Sequence, residues 1–112
     1  MSEGFDLQKI MEQAQEMSGK LKRVQEELRH RTVDATVGGG MVDATVNGQL
    51  ELVRIRIDPQ AVDPRDVEML QDLVVAAINQ AMARAREMAQ SEMQSATGLP
   101  LAQLMGQLGG GS

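Results

Sequence analysis

The segment from Thr32 to Ile57 reads as three short strands joined by two glycine turns, and helical patterns far longer than those strands stand on either side of it. Val33-Asp34-Ala35-Thr36-Val37 is repeated without change as Val42-Asp43-Ala44-Thr45-Val46, and both copies alternate apolar with polar residues, the period of a half-buried strand. Val33, Ala35, Val37, Val42, Ala44 and Val46 therefore share one face, and Asp34, Thr36, Asp43 and Thr45 share the other. Gly38-Gly39-Gly40 supplies the reversal between the copies. Asn47-Gly48 reads as a two-residue hairpin turn in which both positions take positive φ. A third strand runs from Leu50 to Ile57, with an alternation that breaks near Leu52, where a bulge would restore it. Asp58-Pro59 ends it.

In the first helical pattern Leu7, Ile10, Ala14, Met17, Leu21, Val24 and Leu28 recur at spacings of three and four, the seam of a helix that packs along its length on another helix. Asp6 is its N-cap and His30 its end, and Gly19 costs about 1 kcal/mol in the middle. The second pattern opens at Asp63-Pro64, read as N-cap and first helical residue. Leu70, Leu73, Val74, Ala77, Ile78, Ala81, Ala85, Met88 and Ala89 form its stripe, which runs on weakly to Ala96. At 1.5 Å per residue these helices span about 37 and 50 Å, whereas strands of roughly six residues cover about 20 Å. The overhanging halves must bury their stripes on another chain or project as arms. The expected fold is α+β: a helix, a three-stranded antiparallel meander and a long helix, paired as a homodimer with projecting helical arms. Residues 1–97 form its single αβββα dimerising domain and residues 98–112 a flexible tail. Its dimer interface is expected at Val33, Ala35, Val37, Val42, Leu70, Val74, Ala77, Ile78 and Ala81.

Composition points the same way. With nine Met, Phe5 as the one aromatic residue and no Trp or Tyr, a core of Ala, Val, Leu and Met packs closely but carries little buried area per residue, which favours association. The absence of Cys excludes disulfides and thiolate chemistry. The first residues lack the basic start and apolar run of a signal peptide, and no stretch approaches the roughly 20 apolar residues of a membrane span, so a cytoplasmic, non-membrane protein is expected. Catalysis has no footing. His30 is better explained as a helix end than as a proton carrier, the triple glycine lacks the Lys and Ser or Thr of a phosphate loop, and the carboxylates show no metal-ligand spacing. Neither an enzyme, nor a cofactor, nor a metal, nor a small-molecule substrate is expected.

The net charge of −5 is unevenly spread. From Lys20 to Arg31 five cations face two carboxylates, a local +3, and from Asp58 to Asp72 five carboxylates face one Arg, a local −4. Lys20, Lys22, Arg23, Arg29 and Arg31 flank the first seam, where they can meet phosphates along a duplex or serve as a solvated face paired with Glu16, Glu26 and Glu27. Arg84 and Arg86 are placed on the arm, beyond the sheet, and would add to the same surface. Arg54 and Arg56 point out from the sheet and are expected to pair with Asp43 or Asp34 across strands. There is no aromatic platform, zinc-ligand set or recognition helix, so binding to nucleic acid would be directed at the backbone, with low sequence specificity.

Gly38-Gly39-Gly40-Met41-Val42, Val46-Asn47-Gly48, Ile57-Asp58-Pro59, the run Met69-Leu70-Gln71-Asp72-Leu73-Val74-Val75-Ala76-Ala77 and Gly98-Leu99-Pro100 stand in an order and at separations that resemble the YbaB/EbfC family of bacterial nucleoid-associated proteins. The resemblance covers nearly the whole chain. It implies a homodimer whose sheets join at the centre while paired helices project like tweezers, and it implies double-stranded DNA as the partner, in the cytoplasmic nucleoid. It also favours the phosphate-contact reading of the basic stretch. The function it implies is a nucleoid-associated protein that binds duplex DNA with low sequence specificity and organises the nucleoid or modulates gene expression. The alternative is a dimeric adaptor for replication or recombination proteins, whose genes often lie beside those of the family.

Overall fold

Local capping sets the first boundaries in the chain. A computed structural model describes residues 6–97. In it Asp6 Oδ1 accepts the backbone N–H of Lys9 at 3.2 Å and starts α1, Leu7–Arg29, which His30 closes by donating its N–H to the carbonyls of Glu27 and Leu28. Three antiparallel strands follow, β1 (Thr32–Val37), β2 (Val42–Asn47) and β3 (Leu52–Ile57), with β2 in the centre. A 3-10 turn at Pro59–Ala61 leads to α2, Val67–Thr97. The Gly98-Leu99-Pro100 string and the tail expected from 98 to 112 lie outside the described residues.

Three local expectations are corrected. The second helix is capped by Asp66, whose Oδ1 accepts the N–H of Met69, while Asp63 instead turns the chain by accepting the N–H of Arg65 at 2.9 Å. Two aspartates three residues apart can each satisfy an orphan donor, and the one adjoining the periodic stripe starts the helix. The second hairpin is not a two-residue turn with positive φ at Asn47 and Gly48. Asn47 ends β2 and its carbonyl accepts the N–H of Leu50 at 3.0 Å, so the turn spans 47–50 and the left-handed residue is Leu50, at φ 64°. The Asn47 side chain holds the loop, with Oδ1 accepting the N–H groups of Gln49 and Glu51 at 2.9 and 3.0 Å. Gly48 is glycine for lack of room: a Cβ there would lie 2.6 to 2.8 Å from Leu28, whose carbonyl accepts the Gly48 N–H at 2.8 Å. Third, Arg84 is not on the arm, because its Nη1 donates to the Asp34 carbonyl of β1 at 2.6 Å. A six-residue strand of about 20 Å underlies roughly thirteen residues of helix, so α2 is still over the sheet there.

The core lies between α2 and the inner faces of β1 and β2. Ala35, Val42, Ala44 and Val46 from the strands and Ala77, Ala81 and Ala85 from the helix are all fully buried, and the alanines at helical spacing bring the helix axis close to the strands. Val33, Val37, Leu70, Val74 and Ile78 are half-buried against this cluster. All nine residues expected at the dimer interface thus contribute to the core of a single chain, and four of them, Ala35, Val42, Ala77 and Ala81, have no surface left to offer.

β3 is treated differently. Its register pairs Thr45 with Arg54 and Val46 with Leu52, so Val53 is the extra residue of a bulge. The bulge turns Leu52 to the same face as Ile55 and Ile57, as the broken alternation required. Yet Leu52, Val53 and Ile57 are exposed, and Ile55 is only half-buried. The chain is elongated, with extents of 79 × 37 × 16 Å.

Candidate nucleic-acid interface

Seven cations were singled out from the sequence, and the structure sorts them by what they already touch. Lys20, Lys22 and Arg23 sit near the middle of α1, all exposed. The side of the helix carrying Leu21, Val24 and Leu28 turns inward, so at 100° per residue Lys20 and Arg23 fall on one flank of the seam and Lys22 on the other. Among the described residues none of the three has a hydrogen bond or ion pair, and neither does Arg86, which is exposed on the solvent side of α2. Three others are engaged. Arg29 pairs with Glu26 one turn back at 2.6 Å, Arg31 pairs with Glu92 of α2, and Arg84 holds the Asp34 carbonyl. The last two tie α2 to the start of β1, a role that sequence spacing could not show because the partners are 61 and 50 residues apart.

The outer face of the sheet is a ladder of side-chain bonds. Thr36 donates to Asp43 at 2.7 Å, Thr45 donates to Asp34 at 2.6 Å, and Arg56 donates through both Nε, at 2.7 Å, and Nη2 to Asp43. Arg56 thus takes the cross-strand partner expected of it. Arg54 lies opposite Thr45 in the register. The Thr36 hydroxyl and then the Arg56 guanidinium hold the Asp43 carboxyl below its ordinary value.

The acidic stretch has a local cause as well. Asp58 accepts a backbone N–H as the cap of the 3-10 turn, Asp63 in the turn that follows and Asp66 as the cap of α2, so all three lie in the connection that leads into that helix. An open depression of about 390 Å³ lined by Asp66, Glu68, Met69, Asp72 and Leu73 lies at that end, away from the α1 cations. Among the described residues no group of three or more His, Cys, Asp or Glu is placed to hold a metal ion. No described helix is long and apolar enough to cross a membrane.

Taken together, a long helix that exposes Lys20, Lys22 and Arg23, a small three-stranded sheet and a second long helix define an elongated αβββα protein. The chain belongs to the YbaB/EbfC DNA-binding family, which it matches over residues 3–99. It is 55% identical over 95 residues to a nucleoid-associated protein of Thermoanaerobacter sp. (strain X514), covering 85% of this chain and 86% of that one. A nucleoid-associated protein of Moorella thermoacetica is 54% identical over 93 residues, covering 83% and 89%. Among solved structures, an uncharacterized protein of Helicobacter pylori superposes with a TM-score of 0.70 at 24% identity, over 78% of this chain and 91% of that one. That likeness bears on the fold alone.

Proposed function

We propose that this protein is a homodimeric nucleoid-associated protein that grips duplex DNA through the phosphate backbone, with low sequence specificity, in the bacterial cytoplasm. The observation that carries the reading is the set Lys20, Lys22 and Arg23, exposed on α1 with no partner among the described residues, in a chain of a DNA-binding family. Unpaired cations on a rod suit phosphates, because contact releases condensed counterions and no internal ion pair has to break first. Arg86 extends the same role to α2, while Arg29, Arg31 and Arg84 contribute in second place because each already holds a carboxylate or a carbonyl. A second copy is called for by β3, which presents exposed Leu52, Val53 and Ile57 beside an unpaired strand edge. Bound in this way, the protein would organise the nucleoid and modulate gene expression through coverage and DNA shape rather than through base contacts.

The test is a gel-shift series on several unrelated duplexes across a range of salt. Lys20→Glu, Lys22→Glu and Arg23→Glu together should abolish binding to every duplex while light scattering still reports the dimer. Removing single cations should lower the salt slope by roughly 0.9 per lost phosphate contact. Unchanged affinity in the triple variant would refute the interface and favour an adaptor of replication or recombination proteins.

A further inference from the structure

Half of the apolar stripe on α1 is left without cover. Leu28 is buried and Val24 and Leu21 are half-buried, whereas Leu7, Ile10, Met11 and Met17 are 60%, 46%, 55% and 36% exposed. With Ala14, also exposed, these side chains fall within an arc of about 120° at 100° per residue. α2 lies over the other end. Arg31 pairs with Glu92, and the five residues from there to Thr97 advance about 7.5 Å, while Met17 stands about 18 Å out from Arg29 at the base of α1. The described part of α2 thus ends short of the outer half.

The bare half matches itself when reversed. Laid antiparallel on a second copy with Leu7 opposite the partner's Met17, it sets Ile10 opposite the partner's Ala14, so a large side chain meets a small one, and the two-fold repeats both layers. The same register brings Asp6 to the partner's Lys20 on one flank and Met11 to the partner's Met11 on the other. Asp6 gives Oδ1 to the Lys9 N–H, which leaves Oδ2 for an ammonium, and Lys20 is exposed with no partner among the described residues. A parallel pair would instead stack Ala14 on Ala14, leave Asp6 and Lys20 without opposite charges and crowd both sheets at one end. We propose that the outer halves of α1 from two copies pair antiparallel through Leu7, Ile10, Met11, Ala14 and Met17, with Asp6 and Lys20 crossing between them. Three turns of helix bury less than the roughly 1,000 Å² of a lasting complex, so the contact is weak alone and forms where copies are crowded. It is separate from the β3 edge, so a chain that also pairs there is joined at both ends. Lys22 and Arg23 lie outside the pairing, which stands whether or not they meet DNA.

The chain has no Cys, so single thiols report the register directly. Full-length Leu7→Cys and Met17→Cys proteins, mixed at high concentration and oxidised, should give mixed disulfide pairs about 10-fold in excess of self pairs. In this register each thiol stands about 15 Å along the axis from the same residue of the partner, whereas a disulfide needs Cα atoms within roughly 7 Å. Gln13→Cys leaves the stripe whole and should be joined across the two-fold by a bis-maleimide about as long as the 8 to 10 Å between packed helix axes. Ile10→Glu added to Gln13→Cys should remove that link while circular dichroism reports that the fold persists. Self pairs in excess mean a parallel arrangement and overturn the proposal. So does the absence of both links, which means that the stripe is covered within the chain, and so does a Gln13→Cys link that Ile10→Glu leaves intact. None of these readouts involves DNA, so their failure is distinct from failure of the phosphate-backbone reading.

Discussion

Val46 and Leu52 face each other across β2 and β3 on the same side of the sheet, yet Val46 is fully buried and Leu52 is 43% exposed. Strands lie about 4.8 Å apart and a helix with its side chains is about 10 to 12 Å wide, so one helix covers two strands and leaves the third bare. α2 sits over β1 and β2. Apolar alternation therefore identifies which face of a strand is to be covered, but not which element does the covering. The same contrast runs along α1, whose one seam passes from buried Leu28 to exposed Leu7.

The sharpest way to break this comparison is to truncate both partners of the pair. Val46→Ala removes fewer atoms than Leu52→Ala, but it opens a cavity in the intrachain core and should cost about 2 kcal/mol in urea unfolding. Leu52→Ala should change the unfolding of dilute protein by no more than about 0.5 kcal/mol. Its cost should appear instead as weaker self-association in sedimentation runs. Equal losses in dilute protein would mean that β3 is covered within the chain.

Two glycines sharpen it next. Gly48→Ala forces a methyl against Leu28, including its carbonyl oxygen, and should destabilise by about 2 kcal/mol, with thermal unfolding as the measure. Gly19→Ala meets nothing within 4 Å on the bare part of α1 and should stabilise by up to about 1 kcal/mol through helix propensity.

The smallest effect is electrostatic and belongs to the exposed face of the sheet. Asp43 titrates below its ordinary value in the folded chain, so it binds fewer protons folded than unfolded there. Its contribution is complete above the unfolded value and is lost as pH falls through the folded one, below about pH 4. Thr36→Val removes the larger cause, so the variant should lose less stability than wild type between pH 5 and pH 3 in urea titrations, while already being weaker at neutral pH.

Much of the fold was legible in residue order because its signals are local. The apolar stripe of α1, the Asp6 cap, the repeated strand and the bulge beside Leu52, at Val53, follow from periods of 3.6 and 2 and from one misplaced residue, whereas packing along the whole stripe does not, since Leu7, Ile10 and Met17 are exposed. The candidate site was legible only in part. Lys20, Lys22 and Arg23 are exposed and without a hydrogen bond or ion pair among the described residues, but the carboxylate and carbonyl that occupy Arg31 and Arg84 come from distant parts of the chain. Gly48 was assigned a turn conformation because Asn-Gly suggests one, whereas its real constraint is the end of α1 pressed against it.

By itself, then, the order of residues determined the elements, their faces and the Asp6 cap, since each depends on neighbours within a turn or two of the chain. Which strands α2 covers, why Gly48 admits no side chain and which cations stay unpaired were decided only in three dimensions. Those outcomes depend on the width of a helix, the length of a strand and the angle at which separate surfaces meet, and none of these is encoded in any one stretch of sequence.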